Sequence, residues 1–398
     1  MPLQPLQAPA KRRTAASSLH NATMLFQTPP ITGREAEVID EIETIRRQLN
    51  LPGLRAWPGL PWRAIHDRIL QASKNPALGN LLFENAGPVG DDEPGAEDDE
   101  PGIEDAWIGA PGYHTALSFV LQLADAPDFA IDEGIIRALH YMMVGHDPKK
   151  APGRWRRGSI QVTHRPTGKI VYAAPHAKLV PGLMAELIAS LNARDEIPVF
   201  IRAAMAHLNL AAIHPFLDGN GRTARTLHTF VLARDGIAAP PFASIDEYLA
   251  VNTDKYYKVM DEVDEGVWRP ERDARPWVRF CLTAHLWQAR MLMRRTSEYD
   301  RLWDELEREV RRRSLPEQAT SALAQAAIGG GLTAALYEST AMVSAREADD
   351  ALECLVKAGL LVATGANSDR SYLASDAVKA IHARTRDPRV PDPDPFAA

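Results

Sequence analysis

Residues 214 to 225 read His-Pro-Phe-Leu-Asp-Gly-Asn-Gly-Arg-Thr-Ala-Arg. A base, a short carboxylate, an amide between two glycines and two arginines fall within twelve positions. These are the groups needed to hold a polyphosphate and move part of it. Pro215 pushes His214 toward extended backbone and ends the helix before it. Asp218-Gly219-Asn220-Gly221 predicts a tight turn whose backbone N–H groups point inward as an anion-binding nest. After Gly221, the spacing of Leu227, Phe230, Val231 and Ile237 predicts a helix. The nest then opens onto a helix N-terminus, which favours negative charge. Arg222 and Arg225 are three apart and share one face of that helix. Two cations in a first turn oppose the helix dipole, a placement that makes sense if a multiply charged anion sits there. Asp218 suits a Mg²⁺ bridging phosphates, and His214 supplies a base near neutral pH. The run is not a Walker A loop, which needs Lys-Ser/Thr after its last glycine.

The elements around the run are expected to position it. Residues 197 to 213 read as a mostly apolar helix ending at His214, with Pro198 in its first turn. His207 lies seven residues earlier on that helix and reads as a packed structural histidine, because no HExxH-type ligand set accompanies it. Residues 160 to 162 and 169 to 172 flank Arg165-Pro-Thr-Gly168, which predicts a β-hairpin. Residues 253 to 263 predict a helix carrying Tyr256 and Tyr257.

The segment resembles the Fic motif, HPFx(D/E)GNGRxxR, at every defined position, and the resemblance extends over roughly residues 110 to 290. It implies AMP transfer from ATP to a Tyr, Ser or Thr hydroxyl of a target protein, with release of pyrophosphate. On that resemblance His214 deprotonates the hydroxyl and Asp218 holds Mg²⁺. Gly219, Asn220 and Gly221 cradle the phosphates, Asn220 near the α-phosphate. Arg222 and Arg225 clamp the β- and γ-phosphates, and Phe216 points into the core. Tyr256 and Tyr257 fall where the family often places aromatic residues against adenine, with helix packing as the equal alternative. Asp264 stands where relatives often carry Asn. Doc-type kinases carry Lys at the position of Gly221, so the glycine favours nucleotidyl over phosphoryl transfer. The stretch from Arg154 to Val162 looks like the lead into the family's flap, a hairpin that holds the target segment by strand addition. Many relatives carry an inhibitory Glu that pairs with the second arginine. The stretch Ala16 to Thr23 has that flavour, with His20 at the Glu position, and a histidine cannot pair bidentately with Arg225. Auto-modification is therefore expected. Transfer of another nucleotide or phosphate-containing group, or a non-catalytic winged-helix regulator with a nucleotide-sensing site, are the alternatives.

Composition sets further bounds. The chain of 398 residues suggests two or three domains, and its net charge of −7 argues against general nucleic-acid binding. Two cysteines, Cys281 and Cys354, imply no disulfide framework. No apolar run spans a membrane, and residues 1 to 13 lack the apolar core of a secretory signal, so a cytoplasmic location is expected. The expected fold is mainly α: a Fic helical core with a β-hairpin flap and a small C-terminal winged-helix-like domain. The boundaries read as an N-terminal helical region over 1–109 with a flexible acidic loop at 86–105, a core over 110–295, a helical linker over 296–331, a winged-helix-like domain over 332–385 and a disordered tail over 386–398. Residues 33 to 50 predict an amphipathic helix with Thr32 and Glu35 as its capping box. Residues 332–342 and 344–358 predict two helices, followed by a hairpin. The second of these helices carries Glu347, Asp349, Asp350 and Glu353, which disfavours DNA binding and favours a structural, homodimerising or target-binding role.

Overall fold

The computed structural model describes residues 24–49, 83–86, 103–124, 126, 129–164, 169–193, 195–238, 240–329, 332–341, 343–365, 370–388 and 392–397. His20 and the rest of the Ala16–Thr23 stretch lie outside these residues, as does most of the 86–105 segment. Helix α1 spans Gly33–Gln48, β1 Phe83–Ala86, α2 Ile103–Leu123 and α3 Glu133–Val144. Strands β2 (Gln161–His164) and β3 (Lys169–Ala173) follow, then α4 (Val180–Asn192), α5 (Val199–Ile213) and α6 (Asn220–Arg234). Residues 86 and 103 to 105, read from sequence as loop, thus belong to β1 and α2.

The antiparallel pair α5 and α6 forms the centre, and the motif is the loop between them. From Ala203 to Ile213 every side chain of α5 is buried, the mark of a helix surrounded by protein on all faces. Pro198 caps α5 instead of entering its first turn. The shorter α7 (Pro240–Ala243), α8 (Asp246–Val251) and α9 (Thr253–Asp264) lead to α10, which runs unbroken from Arg275 to Arg312. Helix α1 begins in the expected Thr32/Glu35 capping box and docks on α10, where Arg279 bonds Glu35 at 2.7 Å and Arg290 bonds Glu41 at 2.7 Å.

Helix α10 joins two cores. Its first part, including Trp277, Cys281 and Leu292, enters the main core, and Tyr299, Leu302, Leu306 and Val310 enter the second. The second core is completed by α11 (Ala319–Gly329), α12 (Ala334–Ala341), α13 (Ala345–Lys357), β4 (Leu361–Thr364), β5 (Ser371–Ala374) and α14 (Asp376–Thr385). Residues 296–329, within the stretch expected as a linker, therefore belong to this core: a continuous amphipathic helix carries no punctuation where one core gives way to the next. The described part of the C-terminal tail is also tied down. Asp387 N–H donates to Glu298, and Phe396 lies under the Arg279 guanidinium. Helix α13 opens with a Ser344/Glu347 capping box, buries Ala348, Leu352 and Leu355, and exposes Asp349, Asp350 and Glu353. Gly359, just after it, is left-handed, as a C-cap glycine should be. Among the described residues no helix is long and apolar enough to cross a membrane.

Three histidines meet between α5, α6 and α10. His228 and His285 approach Nε2 to Nε2 at 2.8 Å, so one ring donates and the other accepts. His207 packs edge-on to His228 and Trp277. All three are buried, and burial drives their pKa values down, His228 to about 3. They fold neutral and must bind protons on unfolding. Stability is full above the unfolded value near 6.5 and falls as pH drops from there toward the folded values, by up to about 1.4 kcal/mol per histidine per pH unit. The melting temperature is expected to hold from pH 8 to pH 7 and to fall progressively from pH 6.5 to pH 4. An unchanged melting temperature at pH 5 would contradict the neutral cluster.

Candidate active site

His214 closes α5. Its N–H donates to Leu210 O at 3.0 Å, and its backbone turns left-handed, φ 51° and ψ 58°. The sequence suggested an extended residue here. Pro215 excludes only the right-handed helical region, and the C-cap takes the left-handed alternative. The imidazole Nδ1 lies 3.0 Å from Ala211 O. A carbonyl can only accept, so Nδ1 carries the proton and Nε2 the lone pair. Burial, aided by the nearby Arg156 charge, lowers the pKa to about 4 against the pull of the Ala211 carbonyl and Asp218. His214 is thus a neutral base of defined tautomer.

The loop is held by side chains from both ends. Phe216 is fully buried, stacked on the His140 ring at 3.7 Å and 4° and tilted against Trp155 at 4.9 Å. The Asn220 amide staples the turn: Oδ1 accepts from Phe216 N–H and Nδ2 donates to Phe216 O, both at 2.9 Å. With 2% exposure, the Asn220 side chain faces the loop, and what it offers an anion is its place at the helix start. Helix α6 begins at Asn220, two residues earlier than the apolar spacing suggested, with Gly219 left-handed before it at φ 75°. A Cβ on Gly219 would also meet Val144 at 3.1 Å and the His140 ring at 3.4 Å, so backbone and space both require glycine. His140 fixes the turn from below. Its Nδ1 accepts from Gly153 N–H at 2.9 Å, so Nε2 donates to Asp218 O at 2.9 Å. Burial keeps it neutral, with a pKa of about 4.

Arg156 is the residue the sequence concealed. It is 3% exposed and donates to four carbonyls: Nε to His214 O at 2.7 Å, Nη1 to Gly158 O at 2.9 Å, and Nη2 to Pro175 O at 2.5 Å and Ile213 O at 3.3 Å. Its backbone N–H also donates to Pro215 O at 2.9 Å. Burial lowers its pKa, but only to about 10, so it stays charged. Nothing in Arg154-Trp-Arg-Arg distinguishes this arginine from its exposed neighbours.

The charged groups cluster at the start of α6. Lys150 Nζ lies 3.1 Å and Arg222 Nη2 3.7 Å from Asp218 Oδ2, while Asp218 Oδ1 accepts from Gly219 N–H at 2.5 Å. Burial opposes ionisation of Asp218, yet Arg222, Lys150 and the Gly219 N–H together hold its carboxyl below the usual value. Mg²⁺ is commonly held by one or two carboxylates together with substrate phosphates. Asp218 fits that mode, since it is ionised and adjacent to the helix start. Among the described residues no group of three or more His, Cys, Asp or Glu side chains could hold a metal alone. Gly221 sits in the first turn without strain, and a Cβ there would meet only Arg225 Nη1, at 3.7 Å.

Arg225 is 7% exposed and pairs through Nε with Asp246 Oδ1 at 2.7 Å. Tyr113 O–H donates to Asp246 Oδ2 at 2.6 Å, and the guanidinium lies 5.3 Å from the Tyr113 ring centre. The sequence signalled neither partner: one lies over a hundred residues before Arg225 and the other 21 after it. Tyr256 packs edge-on to Tyr257 and Trp277 and lies tilted against Phe280 at 6.3 Å. Burial raises the hydroxyl of Tyr256 to about 12 and that of Tyr257 above its usual range. Asp264 is buried, and burial raises its pKa to about 7 although it accepts from Gly266 N–H at 2.7 Å.

The hairpin packs onto α5 through Tyr172, whose O–H donates to Ala212 O at 2.6 Å. Its sheet order is β1-β2-β3. The edge of β2 away from β3 is therefore occupied by a strand of the same chain.

A helical hairpin whose connecting loop carries this motif beneath a β-flap defines the class. Residues 130–232 match the model of the Fic/DOC family, and they form a Fic domain. The protein adenylyltransferase Fic of Drosophila willistoni is 36% identical over 146 residues, which is 36% of this chain and 26% of that protein. That of Aedes aegypti is 32% identical over 177 residues, 42% of this chain and 30% of that one. The chain thus spans only about a quarter to a third of the length of these curated relatives. The crystal structure of a Fic family protein from Desulfovibrio desulfuricans G20 superposes with a TM-score of 0.51 at 20% identity, covering 88% of this chain and 98% of that one, a likeness of fold.

Proposed function

We propose that the chain transfers AMP from ATP to a hydroxyl side chain of a protein, with release of pyrophosphate. One observation carries the reading: a neutral histidine with its lone pair on Nε2 stands four residues before an ionised carboxylate and beside a glycine-opened helix N-terminus flanked by Arg222 and Arg225. The nucleotidyltransferases named above share up to 36% of residues across this region, which supports the same chemistry.

Each group then has a task. His214 Nε2 takes the proton from the acceptor hydroxyl. The N–H groups of Asn220 and Gly221 at the start of α6 receive phosphate oxygens. Arg222 and Arg225 stabilise charge that builds on the departing pyrophosphate. Asp246 and Tyr113 hold the Arg225 guanidinium in one orientation, so little side-chain freedom remains to be lost when phosphate arrives. Asp218 would hold Mg²⁺, which supplies charge neutralisation for the phosphates. Tyr256 and Tyr257 offer aromatic surface to a base. The C-terminal unit is read as a winged-helix-like module that binds protein; the acidic exposed face of α13 repels a duplex.

Incubation of the chain with ATP, Mg²⁺ and a cell lysate tests the reading by intact mass. A protein gaining one AMP, with pyrophosphate released in equal amount, is the expected result. A gain of one phosphate, or ADP as the product, would contradict it. The pH profile follows from His214. Because its folded pKa is lowered to about 4, the base stays unprotonated far below pH 6.5. On this account kcat/KM holds between pH 7 and pH 5.5 and declines only as pH approaches 4. An acid limb centred near 6.5 would assign the base to another group.

A further inference from the structure

We propose that β1 is a tethered pseudosubstrate, a strand of the chain seated on the flap edge where a target segment would pair, and lacking any hydroxyl for the loop to modify. This rests on the transfer reading above.

The hairpin has two edges. That of β3 is closed near the catalytic loop, where Ala173 N–H donates to Gly266 O at 2.8 Å and Ala173 bridges Val267 in parallel. Gly266 is left-handed at φ 77°, and the Asp264 carboxylate accepts its N–H. The β2 edge is the one open to strand addition, and β1 takes it in antiparallel register, Phe83 opposite His164, Glu84 opposite Thr163, Asn85 opposite Val162 and Ala86 opposite Gln161. This edge runs up to the chemistry. Gln161 follows by five residues the Arg156 whose guanidinium holds the His214 carbonyl, so Gln161 lies within about 17 Å of Arg156 along the chain. An extended segment on β2 is therefore delivered toward the base by main-chain pairing, the usual mode of strand addition.

The sequence of the occupant gives the second, independent observation. From Lys74 to Gly112 there is no Ser, Thr or Tyr. The nearest hydroxyls are Ser73, ten residues before Phe83, and Tyr113, 27 residues after Ala86. Tyr113 is 2% exposed and spends its O–H on Asp246. A stretch of 39 residues without a hydroxyl, four of them paired to the target-binding edge, can fill that edge but cannot accept the transferred group. Because β1 is part of the same chain, its effective concentration is of order millimolar. A target must displace it, and a four-residue ladder is short enough to be displaced.

The test uses the full chain. The double variant Glu84→Pro/Asn85→Pro removes two adjacent backbone donors, one of which must face β2 in an antiparallel ladder. Glu84→Ser, Asn85→Ser and Ala86→Ser each place a hydroxyl on the seated strand. Three results are expected. Amide hydrogen exchange over Gln161–His164 accelerates in Glu84→Pro/Asn85→Pro. Labelling of lysate proteins from α-labelled ATP rises at least about tenfold in that variant. At least one serine variant acquires label that mass spectrometry maps between residues 74 and 112, where the parent has none. Unchanged exchange and unlabelled serine variants, in a chain that still labels lysate proteins, would overturn the pseudosubstrate and leave the transfer reading standing. If exchange responds but α-label enters no protein in any variant, the transfer reading has failed and the pseudosubstrate falls with it.

Discussion

His214→Ala is expected to lower the rate of transfer by about 10² to 10⁴-fold while ATP affinity changes less than about threefold. The imidazole acts on the acceptor hydroxyl, and the phosphates are held by the start of α6 and its arginines. The imidazole hydrogen bond to Ala211 O is made to the helix that His214 closes, and the loop is latched independently by Asn220 and Arg156, so the fold should survive its loss. Single-turnover rates and calorimetric ATP binding on the same preparation separate the two effects. Equal losses in rate and in binding would show that the alanine disturbs the loop. An unchanged rate would remove His214 from the mechanism.

Arg156→Ala is expected to have the largest effect on the scaffold, and a rate loss comparable to that of His214→Ala. The guanidinium donates to the carbonyls of Ile213, His214, Gly158 and Pro175, and alanine would leave these buried acceptors without their charged donor. Charge-assisted hydrogen bonds of this kind contribute about 1.5–3 kcal/mol each but not additively, so a net loss of about 3–5 kcal/mol is expected. Arg156→Lys should recover only part of it, because an ammonium cannot reproduce a planar fork. Denaturant unfolding measures the stability. A variant with parental stability and parental transfer would mean that the loop keeps its shape without the latch.

How much of this was legible in the sequence depended on whether the signal was local. The motif, the helices on either side of it, the flap hairpin and the capping box at Thr32 all follow from short-range spacing, and each appears within two residues of where its residues placed it. The His214 backbone differs because a proline rule excludes one region without selecting among those left. Arg156, His140, Lys150 and Asp246 carry no local signature, since their roles arise from carbonyls and carboxylates brought together by the fold. The boundary between the two cores falls inside α10, where an unbroken amphipathic pattern hides it. Strand β1 was unreadable for another reason. Phe-Glu-Asn-Ala has weak strand propensity, and its pairing is set by the exposed edge of β2.

On the proposed chemistry the loop moves the α-phosphorus of ATP onto protein. The most direct measurement compares two labels on one preparation, ATP carrying phosphorus-32 at the α position and ATP carrying it at the γ position, each incubated with the chain, Mg²⁺ and lysate. Protein-bound label is expected from α-labelled ATP alone, with the γ label recovered as pyrophosphate. Protein-bound label from γ-labelled ATP would show that the nucleotide binds in the reverse sense and that the chain is a phosphotransferase, contradicting the role given to Gly221.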